Sequence, residues 1–129
     1  MVVKRLLYPE RVRKLPPRFS WVDQRLVRDR HIERCDAPAA ALYLMLITVG
    51  DAQGLSYYSD AALSRCLSMD PPRLVQARAE LIRAGLIAYD RPLYQVLAVD
   101  PPLAEARELS MEALRERWRR LRESLEKPR

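Results

Sequence analysis

Between Ala79 and Val99 the chain reads AELIRAGLIAYDRPLYQVLAV, and one glycine, Gly85, separates two incompatible periodicities. Before it, apolar residues recur at the three-and-four spacing of a helix. After it come two short β stretches about a turn at Asp90, Arg91 and Pro92, with Tyr94, Val96 and Ala98 alternating against Leu93, Gln95 and Leu97. A glycine just past a helix end takes the left-handed conformation without a Cβ penalty. Gly85 therefore reverses the chain, and the hairpin that follows returns against the core on which the helix packs.

The elements upstream announce their own starts. Asp70 is placed to cap a helix from Pro71 to Ala84, with Pro71 and Pro72 in a first turn that needs no proline N–H. Ser59 with Asp60 caps a helix from Ala61 to about Leu67, in which Leu63 and Leu67 lie one turn apart and face the core. The preceding LSYYS is a short β stretch. Asp36 or Ala37 caps a helix running from Pro38 to about Asp51 that is apolar nearly all round, so it is expected to be the central, buried one, ended by Gly50 and Gly54 in the loop GDAQG. In FSWVDQRLVRDRHIERCD the pattern predicts a short strand and then a short helix, setting Phe19, Trp21, Leu26, Val27 and Ile32 against the body.

With 129 residues and 49% hydrophobic composition, the chain holds enough apolar material for one core. No apolar run reaches the roughly 18 residues of a membrane span, and the charged N-terminus has no signal core. Cys35 and Cys66 have neither metal-ligand spacing nor the number for a disulfide framework, so reduced thiols in the cytoplasm are expected.

The net charge is +6, and its distribution says more than its total. Residues 1–34 hold ten Lys/Arg against four Asp/Glu, residues 35–100 five against seven, and residues 101–129 eight against six. Residues 1–18 read as an extended basic arm broken by Pro9, Pro16 and Pro17. Lys4, Arg5, Arg11, Arg13, Lys14 and Arg18 make it either an electrostatic tether to phosphates or a solvated tail. Residues 19–100 then form the domain. Residues 101–129 form a charged amphipathic helix, restarted at Ser110 as a cap, in which Met111, Leu114, Trp118, Leu121 and Leu125 make a narrow apolar seam. That seam either packs on its own domain or makes a dimer contact.

On the helix after the double proline, Arg73, Gln76, Glu80 and Arg83 recur at i, i+3, i+7 and i+10, opposite Leu74, Val75, Ala77, Leu81 and Ile82 on the side assigned to the core. The order helix, short strand, helix, turn, helix and two-stranded wing over residues 19–99 resembles the winged helix-turn-helix superfamily. More narrowly, FSWVDQRLV and the stretch from APAAALYLM to ELIRAGLI look like the N-terminal modules of phage replisome organisers and DnaD-like primosomal proteins, with similar layouts in plasmid initiators and MarR-type regulators. The resemblance implies a mainly α fold with a small β-wing (α+β).

It also implies duplex DNA as partner, in replication initiation, transcription regulation or a mobile element. In such modules the second helix of the helix-turn-helix enters the major groove, so the resemblance assigns base-edge positions to Arg73, Gln76, Glu80 and Arg83. Position adds Ser59 and Ser68, either phosphate contacts or plain caps, with Arg65, the one basic residue on the preceding helix, and Arg91 at the wing tip, within reach of a minor groove or a phosphate. In a dimer two such helices would lie about one DNA turn apart. The rival reading is a protein-interaction adaptor on the same fold, with the C-terminal helix as its docking or dimerisation surface.

Enzymatic chemistry lacks its usual residues. The one histidine, His31, lies in a charged segment and reads as a surface residue, and three glycines leave no phosphate-binding loop. Glu105 and Glu108 belong to the charged C-terminal helix, and Tyr57 and Tyr58 suit a short strand. The expectation is a protein that is not an enzyme and that uses no cofactor or metal.

Overall fold

The prolines at 9, 16 and 17 keep the start of the chain out of regular structure, apart from a single 3-10 turn over Pro9–Arg11. The computed structural model describes residues 1–99 and 103–126, the latter with side chains from residue 111 to residue 125. Every residue from Met1 to Val22 is exposed. The strand expected at Phe19 to Trp21 does not form, because no second strand lies beside it to take its backbone hydrogen bonds. Ser20 instead donates its hydroxyl to the carbonyl of Thr48 at 3.0 Å.

Asp23 then starts α1 (Arg25–Arg28) by accepting from the Arg25 backbone N–H at 2.9 Å and from its guanidinium at 2.7 Å. The side-chain and backbone bonds from Arg25 hold the Asp23 carboxyl down at about 2. Arg30, at φ +60°, breaks the helix, and a 3-10 turn over His31–Arg34 follows. Because the segment is two short turns and not one helix, its apolar residues do not share a face. Leu26 alone among the five expected is buried, while Phe19, Trp21, Val27 and Ile32 stay exposed. His31, expected at the surface, is buried, and its Nε2 has no hydrogen-bond partner among the described residues.

Three helices begin on the side-chain caps that the sequence predicts. Asp36 accepts from Ala39 N–H at 3.0 Å to open α2 (Ala37–Val49), and Ser59 accepts from Ala62 N–H at 3.1 Å to open α3 (Asp60–Leu67). Asp70 accepts from Arg73 N–H at 3.0 Å to open α4 (Pro71–Arg83). Each cap satisfies an orphan donor and is worth about 1 kcal/mol. α2 buries Ala39, Leu42, Tyr43 and Leu46, but Leu44 is exposed. It is central without being enclosed, since one side of it faces water.

Gly85, at φ +73°, ends α4 as expected: its N–H donates to Ile82 O and the Leu86 N–H donates to Leu81 O, both at 3.0 Å. β2 (Ile87–Asp90) and β3 (Leu93–Val96) form the hairpin, and β1 (Leu55–Tyr57) joins it on the β3 side, giving the antiparallel order β1-β3-β2. Leu55 faces Gln95, Ser56 faces Tyr94, and Tyr89 pairs with Tyr94 across the hairpin. Gly54 seats β1. It sits at φ +81°, its carbonyl accepts from Val96 N–H at 2.9 Å, and a Cβ there would meet Val96 O at 2.6 Å.

The core lies where the helices meet this sheet. Leu42, Leu46, Leu63, Leu74, Leu81 and Tyr94 have no exposed surface, and α4 packs against α2, α3 and β2. α5 (Leu103–Glu126) is one unbroken helix. It does not restart at Ser110, because that serine stands among strong helix formers that carry the helix through it. Its apolar seam is 49–86% exposed, so the described residues do not cover it. No described helix is long and apolar enough to cross a membrane.

Candidate nucleic-acid interface

α4 is held by one side. Leu74, Ala77 and Leu81 are buried and span an arc of about 60° at 100° per residue. Beside them Arg78 makes a junction that the sequence reading missed. Its guanidinium pairs with Asp60 at 2.8 Å, donates to the Tyr94 hydroxyl at 2.8 Å, and lies 4.4 Å from the centre of the Tyr89 ring. Burial opposes the charge on Arg78, but the bonds to Asp60 and Tyr94 outweigh it and hold the group above the ordinary arginine value. One side chain thus ties α4 to the start of α3 and to the hairpin. The signal was its position, since a residue between Ala77 and Ala79 flanks the buried arc.

The outer side differs from the expected stripe. Arg73, Gln76 and Arg83 are exposed, with Gln76 and Arg83 lying most nearly opposite the buried arc. Glu80 leaves the group: it is half-buried, and its Oε1 accepts from the Asp36 N–H at 3.3 Å, where α4 abuts the start of α2. Val75 and Ile82 do not reach the core. They are 50% and 44% exposed, because they lie about 110–130° from the centre of the arc that Leu74, Ala77 and Leu81 already fill. The outward surface of α4 is therefore Val75, Gln76, Ile82 and Arg83, with Arg73 at its N-terminal edge.

Around it, Arg65 on α3 is exposed, and Ser68 occupies the α3–α4 turn at φ +51°. Ser59 uses its hydroxyl as the α3 cap, and Arg91 is exposed in the hairpin loop. Lys4, Arg5, Arg11, Arg13, Lys14 and Arg18 are exposed along the arm. No described hydrogen bond or ion pair ties them to α4. The one side-chain bond near the arm's base, from Ser20, goes to α2.

The −2 charge of the central segment is partly engaged within the protein. Asp60 is neutralised by Arg78, Glu80 is turned toward α2, and the carboxylates of Asp36 and Asp70 are engaged at helix N-termini, where the dipole favours them. The exposed side chains on and beside α4 include Arg65, Arg73 and Arg83, with Asp70 at the helix N-cap.

A cleft of about 490 Å³ lies elsewhere, between Phe19 and Trp21, the end of α2, the loop 50–54 and residues 96–99. No α4 residue lines it, and its Asp23 and Arg25 are paired with each other. Among the described residues no group of three or more His, Cys, Asp or Glu is placed to hold a metal ion. Comparisons with protein-family models, with curated proteins and with solved structures found no match, so the assignment of this surface rests on the chain's own residues.

Proposed function

We propose that the protein binds duplex DNA as a winged helix-turn-helix, with α4 in the major groove and the hairpin and basic arm on phosphates. The observation that carries this reading is the two-sidedness of α4: Leu74, Ala77 and Leu81 are buried while Arg73, Gln76 and Arg83 are exposed. The engagement of Asp60 by Arg78 and of Glu80 by the Asp36 N–H supports it, since both carboxylates are held by partners within the protein. The order α2, β1, α3, α4, hairpin, with β1 joined to the hairpin, is in keeping with the resemblance drawn from sequence.

In this reading Arg73 supplies a bidentate pair to guanine and Gln76 one to adenine, and the exposed Val75 beside Gln76 suits a thymine methyl. Glu80 has no base to read. Arg65, Ser68 and Arg91 hold phosphates, and the arm adds counterion release that carries no sequence information. Replication initiation, transcription regulation and mobile-element maintenance in the cytoplasm are the roles proposed with it.

The test is selection of bound sites from random duplexes, followed by Arg73→Ala against the selected site. A base contact predicts a loss of about 1–3 kcal/mol with relaxed preference at one position, whereas a phosphate contact predicts uniform weakening. An unchanged affinity would remove α4 from the interface.

A further inference from the structure

The seam on α5 has a chemical character of its own, independent of whether α4 reads DNA. Met111, Leu114, Trp118, Leu121 and Leu125 follow the spacing three, four, three, four, and at 100° per residue they fall within an arc of about 80°. All five are about half exposed or more. The glutamates with described side chains stand clear of this arc, while arginines lie both beside it and on the far face. Arg115 and Arg122 border it on one side and Arg117 on the other, while Glu112, Glu116 and Glu123 lie on the far face. There Glu116 pairs with Arg119 and, at 3.4 Å, with Arg120.

That arrangement decides among occupants. In a parallel pair of α5 helices Arg117 of one copy would face Arg122 of the other, and in an antiparallel pair the edge bearing Arg115 and Arg122 would face itself. Either geometry sets arginine against arginine at the flank of the seam, which selects against a second copy. An anionic membrane is the poorer fit as well. A helix lying in an interface needs a broad apolar face, and five residues over about 80° make the narrow seam of helix-to-helix packing.

We propose that α5 docks a helix of a different protein, one with an apolar seam in the same repeat and with aspartate or glutamate at the flanking positions. Apolar burial around Trp118 supplies affinity, and the three arginines choose the partner's charge. This makes the DNA-binding domain and the docking helix separate devices on one chain.

The test uses the full chain in a Trp21→Phe background, so that fluorescence reports Trp118. It is titrated with two synthetic peptides of about four heptads, leucine and isoleucine at the seam, carrying glutamate or lysine at every flanking position. Circular dichroism of each variant checks that α5 keeps its helicity. The proposal expects the glutamate peptide to bind and the lysine peptide not to. It expects Trp118→Ala, read by titration calorimetry because that variant holds no tryptophan, to weaken binding roughly tenfold or more, and the triple change Arg115→Glu, Arg117→Glu, Arg122→Glu to invert the preference. Equal binding of the two peptides, or binding of neither, overturns it. So does a chain that dimerises through Trp118 in sedimentation, or one that leaves the glutamate peptide unbound but binds phosphatidylserine vesicles.

Discussion

Arg78 is a charged side chain that serves structure, on the same helix that leaves Arg73, Gln76 and Arg83 exposed. Its side chain is only 12% exposed and it joins Asp60, Tyr94 and Tyr89. Arg78→Met keeps the aliphatic stem but leaves the Tyr94 hydroxyl without its donor, so denaturant unfolding should give a loss of about 1–3 kcal/mol. Arg73→Ala, on the exposed edge of the same helix, should leave stability within about 0.5 kcal/mol. The thiols give a second residue-scale check. Burial, and then the charges of Glu80 and Asp36, raise the Cys35 pKa, so its reactive thiolate appears only at higher pH. Cys66 is exposed. Maleimide labelling followed by mass spectrometry should therefore modify Cys66 first, and Cys35 should gain rate as pH rises beyond its ordinary thiol range.

At the scale of elements, what was legible in the sequence was local. Caps at Asp36, Ser59 and Asp70 and the glycine stop at Gly85 act within one turn of themselves, and each stands where the residue pattern put it. Non-local relations were not legible. Nothing within LSYYS says that it pairs with β3, and nothing in FSWV says that it lacks a strand partner. Helix faces failed for a related reason: Val75 and Ile82 are apolar, but α2, α3 and β2 cover only a narrow arc of α4. Gly54 tests the sheet account directly. Its left-handed φ and the 2.6 Å approach to Val96 O predict that Gly54→Ala costs about 1–3 kcal/mol and loosens β1, seen as faster amide exchange at Ser56, the β1 residue in a hydrogen-bonding register with β3.

For the whole molecule, structure and charge are divided along the chain. Among the described residues the buried apolar ones run from Leu26 to Val99, whereas the cations of the arm lie before residue 19 and are all exposed. Removing residues 1–18 should therefore leave the thermal transition of the domain in place. It should also flatten the salt dependence of DNA binding, by about 0.9 in log–log slope for each phosphate the arm neutralises. The central claim, that this domain presents α4 to duplex DNA, is tested most directly by titrating the intact protein with a pool of random duplexes at low salt and at increasing salt. The claim predicts a bound complex that weakens steeply as salt rises; intact, folded protein that shifts no duplex even at low salt would contradict it.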